Sequence, residues 1–227
     1  MKKPYLTIGF LAVEIVLYYL ILTTHGSMLP IYCYSAIILC LLFALANVKC
    51  FHPLILFGLV FTAAADYFLV ICTPIQQLYG MLCFVVTQTF YAISLHQGYK
   101  HKWFLSLRIG PILCAEAVTV CVLKDKLDPL SVVSICYYVN LIVNLIMAFT
   151  RFRENKLFAL GMILFLLCDT VIGLQVASGA YLPIAEGSIL HRIIFMDFFL
   201  SWFFYLPSQV LITLSGLPKR SRSNEIT

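Results

Sequence analysis

Eight stretches of this sequence run for about twenty residues with almost no charge, and they limit the fold more than any motif does. They fall at roughly 5–24, 29–48, 53–72, 77–97, 104–123, 130–149, 157–177 and 190–214. An apolar helix of about 20 residues crosses the hydrocarbon core of a bilayer. Composition agrees: 62% of residues are hydrophobic and 11% are charged, against about 25% charged in a soluble domain. A soluble globular fold is excluded on that ground. A transmembrane barrel is disfavoured, because its strands alternate apolar and polar residues in short segments. The expected architecture is all-α: a polytopic membrane protein, one domain over residues 1–227, built as a bundle of eight transmembrane helices with a short polar tail at 218–227.

The opening segment MKKPYLTIGFLAVEIVLYYLILTT starts like a secretory leader. Its apolar part is longer than a leader's core, and no clean small-x-small cleavage site follows, so it is expected to remain as the first span. Basic residues then orient the bundle. Lys2, Lys3, Lys49, Lys100, Lys102, Arg151, Arg153, Lys156, Lys219, Arg220 and Arg222 collect on one side, against Lys124, Lys126 and Arg192 on the other. Arg108 lies just inside the fifth run. This bias predicts cytoplasmic N- and C-termini. The net charge of +5 then reflects topology and contact with anionic lipid heads. No nucleic-acid partner is expected, and LPKRSRSNEIT reads as a solvated terminus. A bacterial cytoplasmic membrane is the expected setting, and a eukaryotic internal membrane fits the same pattern. The nine cysteines are scattered without a CxxC pair, mostly inside the runs; there cysteine acts as a small hydrophobe, and no disulfide framework is expected.

Carboxyl groups interrupt these runs. A charge at bilayer depth costs a few kcal/mol or more. Asp66 lies 13 residues into the third run, Glu116 12 into the fifth and Asp169 12 into the seventh. Spans one, three, five and seven run outward, so these three sit at nearly one depth. Glu14, 9 residues into the first run, and Asp197, 7 residues into the eighth, complete a set of five. Together they predict a polar cavity opening toward the outer half. Taken singly, each is also explained as a protonated group bonding a neighbouring helix.

Other polar residues fall on helix faces by spacing. Gln88 is mid-span in the fourth run. Asn140 and Asn144 are four apart in the sixth, with Tyr137 three before Asn140; interhelical bonding is the simpler role for the asparagines. Tyr205 and Gln209 flank Pro207 in the eighth, where a kink is expected. A weak internal echo places Gly58 eight residues before Asp66 and Gly161 eight before Asp169. Sequence patterns for a zinc site, a serine hydrolase or a phosphate-binding loop are missing. No metal or organic cofactor is expected.

The residues collected here resemble the YhhN-like lysoplasmalogenase family of eight-helix membrane proteins. Its third span carries Gly-Asp-x-Phe-Leu, read here as ADYFL at 65–69. Its fourth carries Gly, Phe, His and Tyr, matched here by Gly80, Phe84, Gln88 and Tyr91. Gly161, Phe165, Cys168 and Asp169 fit the seventh, and Tyr205 and Gln209 the eighth. Gln88 stands where the family has histidine, Ala65 where it has glycine and Cys168 where it has serine.

The resemblance implies hydrolysis of the vinyl ether bond of lysoplasmalogens, giving a fatty aldehyde and glycerophosphoethanolamine or glycerophosphocholine. Such chemistry needs one protonated acid and one carboxylate, which a buried pair supplies, much as glycosidases do at an oxocarbenium-like transition state. Asp66 and Asp169 are the expected pair, with the two roles open between them. Gln88, Tyr91, Asn140, Tyr205, Gln209, Glu116 and Asp197 are the candidates for holding substrate or water. Arg192 reads as an interface anchor or, alternatively, a phosphate contact. The expected partners are a lysophospholipid substrate and bilayer lipids. A proton-coupled transporter and a lysolipid-binding protein without turnover are the competing readings, because acids at a common depth and a proline-kinked helix suit both.

Overall fold

A computed structural model describes residues 4–97, 103–123, 128–180, 184–196 and 199–218. The described residues form α-helices joined by short turns. These are α1 (Pro4–Thr23), α2 (Leu29–Ala46), α3 (Pro53–Asp66), α4 (Gln77–His96), α5 (Trp103–Leu123), α6 (Pro129–Thr150), α7 (Lys156–Ala180), α8 (Ile189–Ile194) and α9 (Leu200–Ser215). Proline opens the first turn of α2, α3 and α6, where its missing N–H has no helical partner to lose. Asp128 caps α6: the Ser131 backbone N–H donates to Asp128 Oδ1 at 2.8 Å. The Ser131 hydroxyl and that N–H together hold the Asp128 carboxyl below the usual carboxylate range.

Among the described residues, six segments are long and apolar enough to span a bilayer: Pro4–Thr23, Leu29–Ala46, Pro53–Ile71, Gln77–His96, Pro129–Thr150 and Lys156–Val176. The fifth expected span is the 21-residue α5, with its described apolar stretch at Ile109–Val118. The eighth expected span is not one helix. Ser188 caps α8 by accepting from the His191 N–H at 3.1 Å, and α8 closes after six residues. The chain re-enters helix at Leu200, and α9 is 16 residues long, about 24 Å at the helical rise. Hydropathy alone misses this break because the residues on both sides of it are equally apolar. Depth counted along an unbroken eighth span therefore does not apply to Asp197, which lies outside the described residues.

The interior is built on α3, α4, α6, α7 and α9. The closest packing pairs α7 with α9, α3 with α4, and α4 with α6, while α1 and α2 cover α9 and α3, and α5 lies on α6. Phe165, Leu141, Met162, Leu206 and Ile212 are fully buried in the main core. The outward faces are apolar too, with Ile8, Ile15 and Val16 of α1 exposed, as lipid rather than water requires. All nine cysteines are free thiols.

Close approach depends on glycine, since helix association in lipid relies on van der Waals packing between small residues. A Cβ on Gly161 would lie 2.7 Å from Ile212 Cγ1, 3.0 Å from the Ser208 carbonyl oxygen and 3.2 Å from the Ile212 nitrogen. A Cβ on Gly58 would overlap the Tyr91 ring, and one on Gly80 the Leu69 side chain. Because α9 meets Gly161 with backbone atoms, it cannot yield by a rotamer change. Gly161→Val is expected to push α7 and α9 apart and destabilise the protein by about 1–3 kcal/mol. Thermal unfolding in detergent checks this, and an unchanged midpoint would show that the crossing is looser than drawn.

Candidate functional site

Asp66 ends α3 and is almost fully buried. The chain then widens into a π-helical turn over Tyr67–Ile71, in which the Cys72 N–H donates to the Tyr67 carbonyl at 3.0 Å. Such turns recur at functional sites. Gly80 on α4 receives Leu69, so the wide turn is seated against its neighbour. Across the bundle, the Tyr205 hydroxyl of α9 donates to Asp66 Oδ2 at 2.6 Å.

Asp169 on α7 has a matching arrangement: the Tyr137 hydroxyl of α6 donates to Asp169 Oδ2. Tyr138 and Thr170 add a second α6–α7 bond one residue along, at 2.8 Å between hydroxyls. Asp66, Asp169 and Tyr137 are each thirteen residues from the basic end of their helix, counted from Pro53, Lys156 and Thr150. They therefore share one level, about 20 Å into the bundle at 1.5 Å per residue. The four groups lie within electrostatic reach of one another: the Asp169 carboxyl acts on Asp66 and Tyr137, and the Asp66 carboxyl on Tyr137 and Tyr205.

Aromatic rings join the two tyrosine–aspartate pairs. Tyr137 packs on Phe84 with centroids 5.6 Å apart, Phe84 meets Phe165 edge-on at 5.7 Å, and Phe165 meets Tyr205 edge-on at 5.6 Å. Trp202 closes over Tyr205 at 5.0 Å. These rings place both phenols and wall the carboxyls with apolar surface. Asp169 is only partly buried.

A second polar layer lies nearer the basic end. Asn144 Nδ2 donates at 2.8 Å to both the backbone carbonyl and the side-chain Oε1 of Gln88. Gln88 is thus tied to α6. Its Nε2 and the Oε1 of Gln209 are buried with no hydrogen-bond partner among the described residues. Tyr91 is fully buried, with its ring over Gly58 and edge-on to Phe158 at 5.5 Å. Its hydroxyl lies against Thr62. Packing of α3 on α4 and α7 explains Tyr91 without a substrate.

Glu14 and Glu116 are not gathered with the pair. Glu14 is buried between α1 and α2, where the Cys40 thiol donates to its Oε1 at 3.4 Å. Glu116 is on α5 beside Cys136. Depth along the chain does not say which way a helix face turns. Asn140 is buried on the α6 face that carries Tyr137. Tyr137, which its spacing to Asn140 placed on the same face, was not among the expected site residues; nothing in sequence separates a phenol that holds a carboxyl from one that fills space. A cavity of about 390 Å³ lies at the basic end, and none of the expected site residues lines it.

The model of the YhhN family matches this chain over residues 32–216, which takes in both aspartates and both tyrosines. No curated protein and no solved structure matches it.

Proposed function

We propose, from the premise that this chain belongs to the YhhN family, that it is an integral membrane hydrolase of the lysoplasmalogenase type. One observation carries the reading: two aspartates from α3 and α7 at one level, each accepting a hydrogen bond from a tyrosine.

The proposed substrate is a lysoplasmalogen whose alkenyl chain lies among the helices. One aspartic acid transfers its proton to the β-carbon of the enol ether. The double-bond electrons form the new C–H bond, and the α-carbon becomes an oxocarbenium ion. The other aspartate stabilises that cation and takes a proton from water as the water oxygen bonds to the α-carbon. The resulting hemiacetal breaks its bond to the glycerol oxygen, which takes the proton from the second aspartic acid, while the first aspartate accepts the hemiacetal hydroxyl proton and the fatty aldehyde is released. The proton balance closes within the pair, so the scheme draws on no cofactor. Tyr137 and Tyr205 each hold one carboxyl oxygen and so aim the other. We assign the basic end of the bundle to the cytoplasm by the positive-inside rule.

Purified protein in lipid nanodiscs, given a lysoplasmalogen, is expected to release aldehyde and glycerophospho-base in equal amounts. The matching alkyl ether lysolipid, which lacks the double bond, gives none. Lipid binding without aldehyde would favour the second reading, a lysolipid-binding protein without turnover. Gln88 supports that alternative, because glutamine stands where the resemblance has histidine, the side chain suited to carrying protons near neutral pH.

Gln88→His separates the two. A neutral imidazole still offers an acceptor to Asn144 and adds a proton carrier on the basic side of the carboxyls. Turnover is expected to rise in the same assay. Equal or lower turnover would mean that position 88 serves only the tie to α6.

A further inference from the structure

The cavity at the basic end lies apart from the carboxyl cluster. Arg151, His52, Ser94, Gln97, Asn155 and Ser215 give it a polar lining, and no carboxylate is among the residues that line it. Arg151, Ser94, Gln97, Asn155 and the protonated nitrogen of His52 can donate hydrogen bonds, while the Ser215 hydroxyl already donates to the Ile212 carbonyl at 2.6 Å. Arg151 is only partly exposed, and two of its nitrogens meet Glu154. His52 Nδ1 is buried with no hydrogen-bond partner among the described residues. Burial holds the His52 imidazole below its ordinary range. The helix α3 begins here without a side-chain cap, and Pro53 has no N–H to offer, so the Leu54 and Ile55 N–H groups and the positive end of the dipole lie at this end. Lys49, Arg153 and Lys156 lie at the same end, and the sequence continues as Lys219-Arg220 directly after Pro218.

Donors without lining carboxylates, at a basic end, select an anion. The volume, about 390 Å³, exceeds what a few waters or a halide need and accommodates a phosphate ester. That ester is not the head group of the lipid undergoing chemistry. Five bonds separate the ether oxygen from phosphorus in a lysoplasmalogen, a reach under about 8 Å at roughly 1.5 Å per bond. The carboxyls are about 20 Å away along α3 and α7. We infer that this cavity is a separate binding site for a phosphate ester, supplied by an anionic lipid head group or by a water-soluble phosphate. The bound phosphate would bridge the start of α3, the end of α4, the α6–α7 turn and the end of α9, and so fasten the core helices together.

The test is thermal unfolding of the full chain in phosphatidylcholine nanodiscs, with glycerol 3-phosphate added against chloride at matched ionic strength. A saturable rise of about 2–4 °C is expected. Parallel discs containing phosphatidic acid identify the source: a raised midpoint that no longer responds to glycerol 3-phosphate assigns the site to lipid, and an unchanged response assigns it to the soluble ester. Arg151→Gln removes the cation and Ser94→Leu fills the cavity, and each is expected to abolish the response while keeping a cooperative transition of its own. Wild-type protein that responds to neither phosphate source, or variants that both retain the full response, would overturn the assignment. The readout is stability, so it stands whether or not aldehyde release is found.

Discussion

Asp66→Asn and Asp169→Asn are each expected to lower aldehyde release by at least about 10³-fold. Proton transfer by a positioned side chain is worth about 10²–10⁴ in rate, and each aspartate also carries charge that the oxocarbenium ion requires. Asparagine has nearly the same shape and still offers an oxygen to Tyr205 or Tyr137, so the unfolding midpoint should change little. The double variant should be no slower than the worse single one, because groups that act as a unit do not add. Rates in nanodiscs, beside thermal unfolding of each variant, decide the matter. Full turnover in both single variants would remove the pair from the mechanism.

Tyr205→Phe and Tyr137→Phe are expected to lower kcat by about 10–100-fold each, with KM nearly unchanged. A hydrogen bond to a charged group contributes about 1.5–3 kcal/mol, and here it fixes which carboxyl oxygen faces the substrate. Phenylalanine keeps the ring contacts with Phe165 and Trp202 at position 205, and with Phe84 at position 137. Loss of the aiming bond should therefore appear in turnover rather than in folding. A change confined to KM would instead make the phenols substrate contacts.

Much of this molecule was readable before any coordinates. Hydropathy located α1 to α4, α6 and α7 within a few residues, because apolar length and bilayer thickness constrain each other directly. Depth counting set Asp66 and Asp169 at one level, and the structure has them within electrostatic reach. Tyr205 stood out by its spacing to Gln209 around Pro207 and again in the family resemblance, and its bond to Asp66 is present. Three features were not readable. The apolar run at 190–214 divides into α8 and α9 although its composition is uniform. The π turn after Asp66 depends on Leu69 seating at Gly80, eleven residues ahead and on another helix. Gln88 looked free to orient substrate, yet Asn144 holds it from 56 residues away.

What the chain determines alone is position along the membrane normal. Lipid is a solvent that varies in one dimension, so apolar runs, basic ends and interrupting acids report depth without knowledge of any neighbour. Rotation about each helix axis is a different quantity. It is set where Gly161 admits the α9 backbone and Gly58 admits Tyr91, contacts whose partners are distant in sequence. Only that rotation turns Tyr137 and Tyr205 onto the two aspartates and leaves Glu14 and Glu116 with other neighbours.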